Sequence, residues 1–349
     1  MNKILTVVVP MYNVEKYIPK CLESFVLADK SCMDSLEVLC INDGTPDHSA
    51  DIAKEYEAKY PQTFRVIDKE NGNYGSCINR GLKEARGKYI RICDGDDSYD
   101  SVALEELLKK LLNVDVDLVI TDFKIVSPDD YLIKEENLSS QYPSLPLSTK
   151  FNMPSFLQIV DFSYWPHMHS LTYRTSMLQA MKYHQTEGIS YTDQMWATLP
   201  ITHVKTAYYV PSYVYRYLLG REGQTMDGNN QVKNIRQLFH VLLDIARYCE
   251  EGDCDPFFKP FLCKVIEANT NKIYPNVILF HRGDKDALET FDRKLAQYPT
   301  VYSQFSKHSH LHGMINYVEM WRRNNYDNLP FLVRKLGAWL EKRGRKRLK

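Results

Sequence analysis

The sequence contains no long apolar run, no paired cysteine motif and no glycine-rich nucleotide loop. Because a membrane-spanning helix needs about 18 or more apolar residues in a row, the sequence predicts no such helix. The eight cysteines include no C-x-x-C pair, which disfavours a structural zinc site and a dithiol redox site. The absence of G-x-G-x-x-G disfavours a dinucleotide-binding Rossmann domain, and the absence of G-x-x-x-x-G-K-S/T excludes a P-loop.

A signal-peptide pattern is also absent, since the first residues lead directly into an apolar strand pattern. Together with the lack of a spanning helix, this predicts a cytoplasmic protein. The formal charge is zero, with 44 Lys and Arg against 44 Asp and Glu. The distribution is uneven, because residues 334–349 contain eight bases and one acid, a net charge of +7.

Apolar strand patterns alternate with amphipathic helix patterns through about the first 125 residues. The predicted strands are Ile4–Pro10, Leu36–Ile41, Phe64–Ile67, Tyr89–Cys93 and Asp117–Lys124. The predicted helices between them are Val14–Leu27, Ser49–Lys59, Ser76–Arg86 and Leu104–Leu112. This alternation predicts an α/β fold with a doubly wound, mostly parallel sheet flanked by helices, in which ligands bind at the carboxyl ends of the strands.

The rest of the chain shows less regular patterns. Residues 126–150 are rich in Ser, Pro and Asp, so we expect a linker or a mobile loop there. Further strands are predicted at Trp165–Arg174, Ala207–Pro211 and Tyr213–Tyr217. From about residue 230 the periodicity becomes helical, which predicts a mainly helical C-terminal region.

The stretch Asp94-Gly95-Asp96-Asp97 follows a predicted strand and concentrates three carboxylates. Carboxylates held close together repel each other unless a cation or a proton lies between them. Oxygen ligands favour a hard ion such as Mg²⁺ or Mn²⁺, which usually binds one or two carboxylates and substrate phosphates. The stretch therefore indicates a metal–phosphate site. The same composition is also typical of a solvated turn, with Asp97 or Ser98 capping the next helix.

Several spaced motifs resemble those of the inverting family 2 glycosyltransferases of GT-A fold. They are Val7-Val8-Val9-Pro10-Met11-Tyr12-Asn13, Asn42-Asp43-Gly44-Thr45-Pro46-Asp47, Glu70-Asn71-Gly72, Asn79-Arg80-Gly81, Ala85-Arg86-Gly87 and Asp94-Gly95-Asp96-Asp97. The motifs occur in the order of that family over about residues 4–125. A looser resemblance continues to about residue 226, through His169, Tyr191-Thr192-Asp193 and Gly220–Thr225, and indicates a bacterial branch serving surface-polysaccharide synthesis.

The resemblance implies a set of residues that bind a nucleotide-sugar donor: Pro10, Tyr12, Asn13, Asp43, Asn71, Arg80 and Asp94. The first three would border the nucleotide base, with Tyr12 stacking on it, and Asp43 would bind the base. Asn71 and Arg80 would lie near the ribose or the diphosphate. Asn42 stands where many relatives carry Asp, but an amide can also hydrogen-bond the base.

The resemblance also implies the groups that carry the chemistry. Asp94 and Asp96 would form a D-x-D pair that holds Mn²⁺ or Mg²⁺, with Asp96 as the more direct ligand. Asp193 aligns with the catalytic base that takes a proton from the acceptor hydroxyl, although Thr192 stands where many relatives carry Glu. The alternative for Asp193 is a structural role at the start of a helix, where acidic residues are favoured.

His167 and His169 form an H-x-H pair, which on a strand would place both rings on one face. Zinc binding by this pair is one alternative, but no further ligands are spaced nearby, and we expect His169 to contact the sugar or the diphosphate. Arg216 and Arg221 are candidates for clamping a phosphate or the acceptor, and an ordinary surface position is the alternative.

The C-terminal tail mixes its bases with apolar side chains, namely Phe331, Leu332, Val333, Leu336, Trp339 and Leu340. This predicts a basic amphipathic helix that binds an anionic membrane surface. A solvated, partly disordered C-terminus is the alternative. Basic charge is absent from the predicted site, so no binding of nucleic acid is expected.

The sequence therefore predicts a metal-dependent inverting glycosyltransferase at the inner face of the plasma membrane. It would move a sugar from a nucleotide-sugar, a UDP-sugar by preference, to a glycan or a lipid-linked glycan. Residues 1–125 would form the donor-binding half, residues 126–229 the acceptor-side half, and residues 230–349 the helical region with its tail. The alternatives are a sugar nucleotidyltransferase, which the lack of a glycine-rich lysine loop disfavours, and a catalytically silent sugar- or nucleotide-binding module.

Overall fold

A computed structural model describes residues 3–164, 167–221, 234–308, 310–311, 315–336 and 339. The chain divides into two compact units, Met1–Asp227 and Gly228–Lys349. None of the described helices is both long enough and apolar enough to cross a membrane.

The first unit alternates strands and helices. Its strands are β1 (Leu5–Met11), β2 (Leu36–Asn42), β3 (Phe64–Asp68), β4 (Tyr89–Ile92), β5 (Ser98–Tyr99), β6 (Leu118–Val126), β7 (Leu132–Glu136), β8 (Lys150–Asn152), β9 (Leu171–Arg174) and β10 (Thr206–Leu218). Its helices are α1 (Ile18–Glu23), α2 (Lys30–Ser35), α3 (Ser49–Lys59), α4 (Asn73–Glu84), α5 (Ser101–Asn113), α6 (Leu138–Gln141), α7 (Met153–Ile159), α8 (Thr175–Ala180) and α9 (Asp193–Thr198). Short 3₁₀ turns occupy Met168–Ser170 and Pro200–His203.

The main sheet has the strand order β3-β2-β1-β4-β9-β6-β10-β5, with β7 paired to β6 and β8 paired to β10. The strands β3, β2, β1 and β4 are parallel, as are β6 and β10, while β9 runs antiparallel between β4 and β6. The predicted GT-A-type α/β fold, a mostly parallel sheet flanked by helices, is confirmed. Because β1 pairs in parallel with both β2 and β4, the carboxyl ends of these three strands meet at one edge of the sheet.

The helices cover the sheet through regularly spaced apolar residues. In α5 the buried positions are Leu104, Leu107, Leu108 and Leu111, which follow the i, i+3, i+4, i+7 pattern of a one-sided helix. The Asp100 side chain caps this helix by accepting a hydrogen bond from the Ala103 N–H at 3.0 Å. The alternative in which Asp97 or Ser98 caps this helix is therefore wrong.

Several predicted boundaries differ from the structure. The helix predicted over Val14–Leu27 is shorter in the structure, because α1 spans only Ile18–Glu23. A second helix, α2, follows this range and was not predicted; its start is capped by Asp29. The helix α4 begins at Asn73 rather than at Ser76. The residues predicted as two strands around Pro211 form one strand, β10, because bulges between Val210 and Tyr215 absorb the irregular pattern.

Two further expectations about the middle of the chain are wrong. Residues 126–150 are not an unstructured linker, since they contain β7, which extends the sheet beside β6, and the short helix α6. Within the described part of Trp165–Arg174, only Leu171–Arg174 is a strand, and a 3₁₀ turn precedes it. The polar composition of residues 126–150 did not indicate β7. This strand forms because pairing with β6 supplies the hydrogen bonds that a polar segment otherwise makes with water.

The second unit is mainly helical. Its helices are α10 (Ile235–Glu251), α11 (Lys259–Thr270), α12 (Ile273–Ile278), α13 (Lys285–Leu295), α14 (Pro299–His308) and α15 (Tyr317–Arg323), and a 3₁₀ turn spans Pro256–Phe258. The short strands β11 (His310–Leu311) and β12 (Ile315–Asn316) form a hairpin. Residues 331–336 are also helical, whereas most of the predicted basic tail lies outside the described residues.

A buried ion pair connects the helices of this unit. Asp292 of α13 is fully buried and accepts two hydrogen bonds from Arg322 of α15, at 2.9 and 2.7 Å. The hydroxyls of Tyr274 and Tyr326 donate to the same carboxylate at 2.7 and 3.1 Å. A buried charge with this many partners is well compensated, so the network fixes α12, α13 and α15 together.

Candidate active site

The acidic stretch lies directly after β4, at the edge where the carboxyl ends of the parallel strands meet. Gly95 packs on the end of β1, and a Cβ atom added there would lie 2.9 Å from the Pro10 carbonyl oxygen. The turn can approach β1 this closely only because glycine has no side chain. The Asp97 N–H donates to the Asp94 carbonyl oxygen at 2.9 Å, which closes the turn.

Asp94, Asp96 and Asp97 each offer a carboxylate oxygen, and these oxygens lie within 4.8 Å of one another. Asp97 is buried, and Asp94 and Asp96 are half-buried, so the stretch is not a solvated turn. Three carboxylates at this spacing provide the oxygen donor set that Mg²⁺ and Mn²⁺ prefer. The residues present therefore fit a hard divalent ion.

The buried Asp97 is held by β10. The Tyr215 hydroxyl donates to one Asp97 oxygen at 2.5 Å, and the Leu218 N–H donates to the other at 2.6 Å. The Tyr215 hydroxyl also accepts a hydrogen bond from the Asp94 N–H at 3.1 Å. Tyr215 therefore positions both ends of the acidic turn, although it lies more than a hundred residues away in the sequence.

Tyr74 was not identified from the sequence, yet it contacts the cluster directly. Its hydroxyl donates to Asp94 at 2.7 Å and lies 3.6 Å from the Met168 sulfur. Burial is the main cause that raises the pKa of Asp94 to about 7, and the negative charge of Asp96 raises it further. The hydrogen bond from Tyr74 opposes this shift, because it favours the ionised carboxylate.

Asp193 is the first residue of α9 and lies near this group. Burial raises the pKa of Asp193 above its usual range. The charge of Asp193 also contributes to the raised pKa of Asp94 and of Tyr74, so its carboxylate is within electrostatic reach of both. The preceding residue, Thr192, makes no side-chain capping bond to the helix.

The segment that precedes Asp193 is fixed to α4. The Asn79 side chain accepts from the Gln185 N–H and donates to the Gln185 carbonyl, both at 2.8 Å. The Gly188 N–H donates to the Gly72 carbonyl at 2.9 Å. Gly75 allows the close approach, since a Cβ atom there would lie 2.0 Å from the Thr186 carbonyl oxygen. These contacts hold the segment leading to Asp193 against the start of α4.

Asp43 lies at the end of β2 and is almost completely buried. One of its oxygens accepts hydrogen bonds from the Lys69 ammonium at 2.5 Å and from the Gly72 N–H at 3.0 Å. The Asn71 amide donates to the Asp43 carbonyl at 3.0 Å. Asp43 and Asn71, both predicted to bind the donor, are therefore parts of one structured loop beside β1.

The residues after β1 border the same edge. The Tyr12 ring is 49% exposed, so one face is available for stacking. Asn13 adopts a left-handed conformation with φ of 53°, and its N–H donates to the Thr45 hydroxyl at 2.9 Å. Asn42 donates to Asp68 at 2.8 Å and accepts from the Thr45 N–H. The Asn42 amide therefore organises the loop after β2.

The predicted arginines lie in different surroundings. Arg221 forms an ion pair with Asp96, and its guanidinium lies over the Tyr17 ring, 5.5 Å from the centroid. Arg216 instead pairs with Asp130 at 2.6 Å, and Arg80 pairs with Glu84 at 3.1 Å along α4. Among the described residues, only Arg221 of these three forms an ion pair with the acidic cluster.

The histidine pair packs against aromatic rings. The His169 ring lies 4.9 Å from Phe123, 4.7 Å from Tyr215 and 4.6 Å from Tyr217, measured between centroids. Burial lowers the pKa of His169 to about 3, so the ring is neutral near pH 7. Among the described residues, the one group of three side chains close enough to bind a common metal ion consists of Asp94, Asp96 and Asp97. Neither histidine belongs to this group.

Comparison with known proteins identifies a family domain within the chain. Residues 6–178 match the model described as glycosyl transferase family 2. The uncharacterized glycosyltransferase EpsJ of Bacillus subtilis is 38% identical over 129 residues, which are 37% of this chain and 36% of EpsJ. The chain thus spans little more than a third of the length of that curated relative.

Solved structures share the fold at low sequence identity. S. aureus TarS 1–349, crystallised with UDP-GlcNAc, matches with a TM-score of 0.67 and 18% identity, covering 97% of this chain and 92% of that one. The mannosyltransferase PcManGT from Pyrobaculum calidifontis, in complex with GDP-Man and Mn²⁺, matches with a TM-score of 0.53 and 16% identity, covering 97% and 86%. From the family match, we conclude that residues 6–178 form a glycosyl transferase family 2 domain, and the solved structures share its fold.

Proposed function

We propose that the protein is a metal-dependent inverting glycosyltransferase that moves a sugar from a UDP-sugar to a glycan or lipid-linked glycan in bacterial surface-polysaccharide synthesis. The observation that carries this proposal is the group of Asp94, Asp96 and Asp97 at the carboxyl end of the sheet, with Asp193 in electrostatic reach. A transferase of this type needs a site for a diphosphate and a base for the acceptor hydroxyl, and these residues supply both.

The donor would bind along the ends of β1, β2 and β4. The exposed Tyr12 ring offers a stacking face for the base, and the loop built on Asp43 and Asn71 offers polar groups next to it. Pro10 and Asn13 border this region. Arg80 remains a predicted contact of the donor, but its side chain would first have to leave Glu84, to which it now donates a hydrogen bond. We take UDP as the carrier because TarS, which was crystallised with UDP-GlcNAc, has a TM-score of 0.67, whereas PcManGT, which was crystallised with GDP-Man, has a TM-score of 0.53.

The acidic cluster would hold Mn²⁺ or Mg²⁺ through Asp96 and Asp94. When bound, such an ion neutralises negative charge that develops on the leaving diphosphate. The Tyr74 hydroxyl and the Tyr215 hydroxyl orient the cluster, and Asp97 anchors it to β10. Arg221 already pairs with Asp96, and its guanidinium is suited to bind a phosphate oxygen of the donor.

Asp193 would act as the general base. The acceptor hydroxyl attacks the anomeric carbon on the face opposite the diphosphate, and a carboxylate must take its proton as the bond forms. Asp193 is half-buried, and a carboxylate with a raised pKa is a stronger base than one in water, which suits this task. His169, neutral and half-buried beside Tyr215, and Arg216 remain proposed contacts for the acceptor or the diphosphate.

We further propose that the protein associates peripherally with the inner face of the plasma membrane. Residues 331–336 are helical, and Phe331 and Leu332 are 60% and 79% exposed. Exposed apolar residues next to eight bases in residues 334–349 match the composition of helices that bind anionic bilayers.

Asp193→Asn tests the catalytic assignment. The amide cannot accept a proton, so we expect transfer to fall by about 10²–10⁴-fold while the affinity for a UDP-sugar is unchanged. Transfer to an acceptor extract and donor binding by calorimetry measure the two effects. The exposed Asp129→Asn serves as the matched control, and near-normal transfer by Asp193→Asn would remove the base assignment.

The pKa of Asp94 predicts how metal-dependent binding responds to pH. A proton on Asp94 competes with the ion, so Mn²⁺-dependent binding of UDP-GlcNAc weakens by about tenfold between about pH 8 and about pH 6. Tyr74→Phe removes a hydrogen bond that favours the ionised form, so the midpoint moves to higher pH. Calorimetry across this range tests both statements, with exposed Tyr131→Phe as the control. A flat profile, or a midpoint that moves to lower pH, contradicts them.

Deletion of residues 331–349 tests the membrane proposal. We expect the full chain to sediment with vesicles that contain anionic lipid and not with neutral vesicles, because the attraction is electrostatic. The deleted chain should remain in the supernatant in both cases. Retained sedimentation of the deleted chain, with donor binding intact, would show that another surface contacts the lipid.

A further inference from the structure

The helical unit contains a cavity of its own, with a volume of about 510 Å³. It lies between α10 and α13 and includes Gln297 and Tyr298, which follow α13. Pockets that bind small ligands or short oligomers have volumes of about 300–1,000 Å³, so the cavity is large enough for a ligand. We call it the helical groove.

The helical groove is cationic. Arg236, His240 and Arg247 line it from α10, and Lys294 lines it from α13. Among the described lining residues none is acidic. The floor is aromatic, since the buried rings of Phe239 and Phe291 stack there with centroids 4.4 Å apart. The groove therefore combines a basic rim with an apolar floor.

The arginine side chains of the groove remain accessible to a ligand. Arg236 pairs with Asp284 at 3.0 Å and Arg247 pairs with Asp244 at 3.2 Å, and both arginine side chains are more than half exposed. A guanidinium has five N–H donors, so each arginine can keep its present partner and bind an anionic group of a ligand as well. No ion pair joins Lys294 to any other residue that the structure describes.

The spacing of the bases indicates an extended ligand. Arg236 and Arg247 lie on one face of α10, three turns apart, which places their backbones about 16 Å from each other. A single phosphate or carboxylate would contact both side chains only if both extended fully toward it. A chain with anionic groups repeated along its length can contact both without such an extension.

We propose that the helical groove binds an extended anionic glycan, whose charges are uronate carboxylates or phosphodiesters. This inference rests on the proposed function, because the chain bound there would be the acceptor or the growing product. Holding a distant part of the acceptor raises the concentration of its reacting end at the transferase unit, in the manner of a linked second binding site. A membrane surface fits less well, since the aromatic rings of the floor are buried.

Binding of defined oligomers to the full chain tests the proposal. The probes are a hexagalacturonate, which carries carboxylates, a hexameric glycerol phosphate, which carries phosphodiesters, and the neutral maltohexaose. We expect one or both anionic probes to bind, more weakly as salt increases, and the neutral probe not to bind. The anionic probe that binds more tightly identifies the source of the charge.

The variant Arg247→Gln with Lys294→Gln should weaken binding of that probe by about tenfold or more, because two charge contacts are lost. Lys285→Gln with Arg323→Gln removes the same charge from exposed positions of this unit outside the groove and should bind as the wild type does. Equal binding by the groove variant and the wild type, or no binding of either anionic probe, would overturn the proposal. UDP-GlcNAc binding, measured on each variant, separates this result from a failure of the proposed function, since none of the residues proposed to bind the donor lines the helical groove.

Discussion

The mutual repulsion of three carboxylates at the end of β4 is the constraint on which the rest of the site depends. Carboxylate oxygens of Asp94, Asp96 and Asp97 lie within 4.8 Å of one another. Negative charges this close repel each other, so the arrangement needs compensating groups. The fold compensates for it with donors from distant segments, namely the Tyr74 hydroxyl, the Tyr215 hydroxyl and the Leu218 N–H. Burial, and then the charge of Asp96, still raise the pKa of Asp94 to about 7. A divalent ion is the natural complement to the remaining charge.

Two of these donors come from β10, a strand outside the parallel group of β1 to β4. The Tyr215 hydroxyl and the Leu218 N–H of this strand both donate to Asp97. The same strand pairs with β5, which follows the acidic turn directly in the chain. The helix α4 contributes Tyr74 from its first turn and, through Asn79, holds the segment that leads to Asp193. One helix therefore sets the position of both the predicted metal site and the predicted base. A substitution in α4 can consequently alter either group without touching a substrate.

The sequence predicted the parts of this site that depend on local pattern. Asp43 and the Asp94–Asp97 turn were predicted because each follows the end of a strand pattern. In a parallel sheet the carboxyl ends of the strands lie at one edge, so such residues come together. Tyr74 and Tyr215 were missed, since their contacts depend on a helix orientation and on a strand register that spacing does not encode. Arg216 and Arg221 looked alike in sequence, yet only Arg221 reaches the cluster. The 126–150 segment was misread because its polarity resembles that of a loop.

Nucleotide binding by the full chain is the most direct test of the central claim that the acidic cluster is a metal-dependent donor site. The measurement is a calorimetric titration with UDP, GDP and dTDP, each in the presence and absence of Mn²⁺. The account predicts that UDP binds in the presence of Mn²⁺ and that chelation of the metal abolishes this binding. Binding of no nucleoside diphosphate, or binding of UDP with equal affinity without the metal, would contradict it.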